Sequence, residues 1–375
     1  MSELMNVNTT RTHIRRHFLA SASTAAVLLS TVASANAGDD ADRPTIWIEL
    51  GGQLERISGG EEPFTPPFLS TIPSFIQDSP LHVERPARYG TGAEGKISFE
   101  PEGSDWIFSA SLRYGRSVAK RHVHEQLKTP QFTGPSGYHF QKYFVNFSDT
   151  KVRNEENHGI VDFQAGKDVG LGAFGRNGKS TFSLGVRYAQ FHSRANSALK
   201  LVPDANYPTT FYQFASSLYQ TPKHHTYVAS AIVSHNFRGI GPSISWEASA
   251  DIVGSPEIAE ISFNWGVNAA VLFGRQKAET HHQSTVGYYS FVLGRGRYLT
   301  SVHRPPVDRA RSRSVTVPNI GGFAGLSFRY SNAKVSFGYR ADMFFGAMDG
   351  GVDTRKTYDR DFYGPFATIS IGLGR

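Results

Sequence analysis

From Trp106 to Arg116 the chain alternates strictly. Trp106, Phe108, Ala110, Leu112 and Tyr114 take one face of an extended segment; Ser109, Ser111 and Arg113 take the other. A two-residue period marks a strand whose two faces meet different surroundings, whereas a helix would scatter the same residues around its surface. The pattern recurs along the chain. Ala93, Gly95, Ile97 and Phe99 alternate with Glu94, Lys96, Ser98 and Glu100, and the polar turn Pro101-Glu102-Gly103-Ser104-Asp105 closes the two runs into a β-hairpin. Farther on, Ile261, Phe263, Trp265, Val267, Ala269, Val271 and Phe273 repeat it, as do Val335, Phe337, Tyr339, Ala341 and Met343. No apolar run of helix-spanning length follows residue 37, so transmembrane helices are excluded.

Composition points the same way. With 27 Phe, 16 Tyr and 37 Gly but only 4 Met among 375 residues, the chain suits strands and turns better than helices. The absence of cysteine removes disulfides, thiolate metal sites and cysteine nucleophiles. The formal net charge of +7 is spread along the chain rather than gathered in a basic arm, which argues against a nucleic-acid partner.

Residues 1–37 read as a cleaved export signal. Arg11, Arg15 and Arg16 precede an apolar run from Phe18 to Val32, and Ala35-Asn36-Ala37 fits a small-x-small cleavage site. Arg15-Arg16-His17-Phe18-Leu19 also resembles the twin-arginine pattern that exports folded proteins. A membrane barrel crosses unfolded, so the ordinary secretory reading is taken, and residues 38–375 are expected to form a single domain.

The alternating runs give ten strands, near 45–55, 89–101, 105–117, 158–171, 180–195, 235–253, 260–275, 316–330, 333–347 and 362–374. Their connections alternate in length. Short turns fall near 102–104, 172–179, 254–259 and 331–332, and long polar segments near 56–88, 118–157, 196–234, 276–315 and 348–361. Sorting of this kind is the layout of an all-β, antiparallel up-and-down outer-membrane barrel with short periplasmic turns and long extracellular loops. Twelve strands result if Thr210–Leu218 and Tyr227–Val233 pair as an extra hairpin. Alternatively Tyr227–Val233 extends the following strand, which keeps the count at ten. A soluble all-β exported protein is the competing architecture.

A resemblance carries the argument further. Val317-Pro318-Asn319 through Arg375, with Phe237-Arg238-Gly239-Ile240-Gly241-Pro242 and Ala270-Val271-Leu272-Phe273-Gly274-Arg275, resembles the Legionella-type pore-forming outer-membrane protein family over roughly the C-terminal 40% of the chain. The resemblance implies a bacterial outer-membrane barrel with pore-forming character, delivered by the outer-membrane assembly machinery. Such barrels usually finish on an aromatic residue; this chain finishes Ile371-Gly372-Leu373-Gly374-Arg375.

Functional expectations follow from the polar faces. Arg113, Arg187, Arg329, Arg340, Glu94, Lys96, Glu247 and Asp251 are read as pore-lining, with the arginines forming one side of the lumen and the carboxylates the other. The competing reading has these charges neutralising one another. A ten-stranded barrel is only slightly wider than an eight-stranded one, whose interior side chains just fill it, so any pore is narrow and suited to small solutes or ions, anionic ones included. The segment 276–315 is read as a basic loop in which Arg295, Arg297, Arg304, Arg309, Arg311 and Arg313 contact outer-membrane lipid and lipopolysaccharide phosphate. A non-conducting barrel acting through such loops is the alternative function. Pro63–Ile76, apolar and proline-rich, is expected to plug or cover the mouth. A rim hydrolase would draw on His122, His124, His281 and His282 with Asp308 or Asp349, but no nucleophile elbow or phosphate loop accompanies them. The sequence therefore assigns no enzyme activity, no metal, no cofactor and no oligomeric state.

Overall fold

The computed structural model describes residues 45–58, 89–102, 104–129, 144–169, 178–203, 212–214, 217–219, 223–255, 259–292, 296–350 and 356–373. The export signal and the Pro63–Ile76 segment lie outside them.

Ten antiparallel strands close into a barrel. They are β1 (Thr45–Ser58), β2 (Gly90–Glu100), β3 (Trp106–Thr129), β4 (Phe144–Asp168), β5 (Gly178–Pro203), β8 (Lys223–Ser255), β9 (Ala259–Val292), β10 (Gly296–Tyr330), β11 (Ala333–Asp349) and β12 (Thr357–Leu373), and β1 pairs with β12 to seal the wall. The segment weighed as an eleventh and twelfth strand behaves otherwise. Tyr227–Val233 extends β8, pairing with β5 and β9, while β6 (Tyr212–Phe214) and β7 (Ser217–Tyr219) form a separate two-stranded hairpin.

The wall is inside out relative to a soluble protein. Leu50, Ile97, Phe108, Leu112, Phe163, Leu184, Ile244, Phe273, Leu326, Phe337 and Ile369 are exposed on the outside, whereas Glu55, Asp162, Arg187, Asp342 and Arg360 are buried inside. A continuous apolar exterior of this kind is stable only against lipid.

Strand length corrects the sequence reading. A membrane crossing takes about 9–11 residues per strand, yet β8, β9 and β10 run for 33, 34 and 35 residues. Most of 118–157, 196–234 and 276–315, read as loops, is paired strand. The six neighbouring strands β3, β4, β5, β8, β9 and β10 thus continue past the barrel as a curved sheet on the side opposite the short turns. Alternation fades there because both faces of a strand above the bilayer meet polar surroundings, and no lipid selects one of them. The supposed basic loop is this β9–β10 hairpin.

Candidate functional site

The lumen is layered along its axis. At the short-turn end, Lys96 on β2 reaches across to Glu247 on β8 (Nζ–Oε2 3.1 Å), and Ser370 donates to Glu49 (2.7 Å). Lys334 stands close to Glu49 and Glu247 without an ion pair among the described residues.

A belt of arginine–carboxylate pairs follows. Arg187 binds Asp162 through Nε (2.6 Å) and Nη2 (3.1 Å), and its Nη1 donates to Asn268 (2.7 Å) and to Asn319. Arg113 on β3 pairs with Asp342 on β11, and Arg340 on β11 pairs with Glu94 on β2. The Arg340 guanidinium also lies over the Phe366 ring, 4.7 Å from its centroid. Arg113, Arg187, Asp162, Arg340 and Glu94, with Lys96, Glu247 and Lys334, line a cavity of about 300 Å³. The arginines do not make one wall: they stand on β3, β5 and β11, and each faces its own carboxylate. Asp342 fits where it does because Gly321 is bare; a Cβ there would sit 2.1 Å from Asp342 Oδ1.

Above the belt the lumen turns apolar. Ile57, Ile160, Phe191, Phe237, Leu272, Val317, Phe344, Met348 and Phe362 are buried together. They come from β1, β4, β5, β8, β9, β10, β11 and β12. Phe191 is the hub, with ring centroids 4.7 Å from Phe344, 5.2 Å from Phe362 and 5.4 Å from Phe237. Beside β2 and β3 the layer is completed by the buried pair Glu55–His158 (3.2 Å), which packs over Gly115 where a Cβ would come within 2.2 Å of either residue. A bulge in β11, with Gly346 at φ +64°, turns Ala347, Met348 and Asp349 all inward. Together these residues form a septum.

A second polar layer caps the septum. Asp349 is gripped by Arg311 and by Arg313 (Nε–Oδ2 3.3 Å), and Arg313 also donates to Gln276 (2.8 Å). Arg360 pairs with Glu156 at 3.2 Å, and Ser193 donates to the same carboxylate at 2.8 Å. Burial drives the imidazole of His235, which lies in this cap beyond the bilayer, down to about 4 despite the favourable field of Asp349.

The other sequence candidates lie elsewhere. Arg329 sits by the Ser331 turn, donating to its carbonyl (3.4 Å) with its guanidinium 5.3 Å from the Trp47 ring, and Asp251 shares a hydrogen bond with Glu260; neither lines the cavity. Arg295 and the side chains of Arg297 and Arg304 lie outside the described residues. Arg309 lies at the edge of a groove in the extended sheet, on the same face of β10 as Arg311 and Arg313. Arg311 and Arg313 point into the cap, where they hold Asp349.

Two His–Asp pairs occur on the outer face of the extensions. His122 and, at 3.8 Å, His124 approach Asp149, and His281 pairs with Asp308. The hydrogen bond from His122, aided by its charge and that of Lys151, holds the Asp149 carboxyl below the usual range. No described hydroxyl bonds His122 or His281. Among the described residues no group of three His, Asp or Glu side chains converges as metal ligands. The septum was the feature that sequence reasoning missed. Its signal was available as aromatic residues on the otherwise polar face, Phe191 standing four residues beyond Arg187 and Phe344 two beyond Asp342.

The sequence model of the family described as the Legionella pneumophila major outer membrane protein precursor matches residues 111–372, well beyond the C-terminal portion in which the resemblance was read. No curated protein matches the chain. Among solved structures, the P. putida toluene transporter TodX aligns at 7% identity over 90% of this chain and 91% of that one, with a TM-score of 0.19. A bacterial polysaccharide outer membrane secretin aligns at 8% identity over 90% and 100% (TM-score 0.19), and the transport unit of the autotransporter AIDA-I from Escherichia coli at 9% over 94% and 97% (TM-score 0.15). Scores this low establish no structural equivalence.

Proposed function

Because the chain belongs to the family of the Legionella pneumophila major outer membrane protein, an outer-membrane β-barrel, we propose that it is a narrow porin-like channel for small ions or solutes, closed by its septum in this conformation. Residues 1–37 are its export signal, and the barrel reaches the outer membrane through the assembly machinery. The observation that carries the reading is the charge-lined cavity beneath the septum. Buried ion pairs add little net stability over well-packed apolar residues. A barrel needing only to stand in the membrane has no use for three of them around a polar cavity. Apolar constrictions gate pores by excluding water, so the septum is the gate and the Arg113, Arg187 and Arg340 belt is the filter. Balanced charges in the belt favour small ions of either sign over a strong anion preference.

Single-channel recording in planar bilayers tests this. The native protein should give rare, small openings, and Phe191→Ala with Phe344→Ala should give frequent, larger ones. The septum equally favours a second reading, a barrel that does not conduct and acts through its outer surface. Silence from both proteins, correctly folded by heat-modifiable migration, selects that reading.

A further inference from the structure

On the outer face of the wall, Arg238 of β8 and Arg275 of β9 are direct cross-strand partners. Both are exposed. Gln190 of β5 flanks Arg238 in the same row, and Ser314 of β10 flanks Arg275. Side chains directly opposite one another on an antiparallel pair are about 5 Å apart at Cβ, and like charges there repel. Among the described residues no carboxylate answers either guanidinium. The nearest outward cation on β9, Lys277, is already paired with Glu279. A sequence that places two unanswered arginines side by side leaves room for an anion between them.

The position of the pair says which kind. The next row toward the membrane is Tyr188, Ile240, Phe273 and Thr316, and below it the exposed Val186, Ile244, Val271 and Ile320 belong to the lipid-facing wall. On the other side, away from the membrane, the same four strands form a groove of about 600 Å³ lined by His192, Arg194, Ser234, Asn236, His281 and the carboxylates Glu279 and Asp308, which are held by Lys277 and His281. Apolar wall, paired guanidinium groups and polar groove therefore follow one another along the barrel axis.

We propose that this strip binds a phosphorylated glycolipid of the outer leaflet. Its acyl chains lie along Ile240 and Phe273, its phosphate sits between Arg238 and Arg275, and its sugars enter the groove. Arginine suits the middle position because its planar fork binds phosphate bidentately, where lysine acts as a point charge. The proposed lipid contact lies on the barrel wall, at Arg238 and Arg275. The inference rests on the outer-membrane location and is independent of whether the barrel conducts.

The test compares binding of bisphosphorylated lipid A and of the same lipid with its phosphates removed, using the folded full-length barrel in detergent micelles. The native protein should favour the phosphorylated form at least tenfold. Arg238→Gln with Arg275→Gln should abolish that preference, whereas Arg116→Gln, on β3 at the other side of the barrel, should retain it. Should the double variant fail to fold, Arg275→Gln alone should lose affinity several-fold. Equal preference in the double variant and the native protein overturns the proposal, as does absence of preference in the native protein. Inorganic phosphate displacing lipid A at equal concentration would mark a generic phosphate patch and also overturn it.

Discussion

The rings of Phe191 and Phe344 meet nearly edge to face, centroids 4.7 Å apart at an interplanar angle of 72°, although β5 and β11 stand almost opposite one another in the wall. Two side chains therefore bridge the barrel at this height. Burying each ring inside the lumen contributes to stability and fills the lumen by the same contact. Phe191→Ala is expected to cost about 3–5 kcal/mol, as for other buried phenylalanines, and to raise the frequency of channel opening. Urea unfolding in lipid vesicles and bilayer recording on the same preparation check the two effects together. A destabilised variant that opens no more than the native protein would detach the septum from gating.

Arg113 and Asp342 pose a different question, because Asp342 is buried, Arg113 is largely so, and each neutralises the other. Removing one partner strands the other charge. Arg113→Gln alone should destabilise the barrel by about 3–5 kcal/mol, and adding Asp342→Asn should recover most of the loss. A double variant no more stable than the single one would show that the pair has further partners.

His235 gives the protein an acid-sensitive element. Its folded value of about 4 lies below the ordinary 6.5 of a histidine, so the unfolded chain binds more protons between those pH values. The contribution is whole above about pH 6.5 and is lost as pH falls toward 4, amounting to about 3 kcal/mol at most. His235→Gln should flatten the pH dependence of unfolding across that window. An unchanged slope would assign the acid sensitivity to other groups.

Gly346 carries a left-handed backbone, φ +64°, at the β11 bulge, and a Cβ there would meet nothing nearer than Thr357 Oγ1 at 3.5 Å. Space is available, so the constraint is the dihedral alone. Gly346→Ala should cost roughly 1–2 kcal/mol and Gly346→Asn less, since asparagine tolerates this region better. Unfolding midpoints of the two variants compare them directly. Equal losses would point to crowding instead.

Much of this molecule is legible without coordinates. Within the bilayer one face of every strand meets lipid, so Trp106–Tyr114 and Ile261–Phe273 announce their register residue by residue. Beyond the bilayer that selection stops, and 276–315, dense in arginine, looks like a loop although almost all of it is paired strand. Of the candidate site, the inward face was legible, but neither the height of each residue along the barrel nor its partner was. Arg113, Arg187 and Arg340 are recognisably lumenal from parity, while Arg329 and Asp251 share that parity and sit at the turn end instead.

What the sequence by itself determined was the wall: a two-residue period reports the solvent on each side of a strand, and that information is local. Which residues meet inside was decided by tertiary structure alone. Asp342 is 229 residues from Arg113 along the chain, and the two are joined by the tilt and stagger of closed strands, a property of the whole barrel rather than of any segment. The same closure brings Phe191, Phe237, Phe344 and Phe362 to one height and turns four scattered aromatics into a septum.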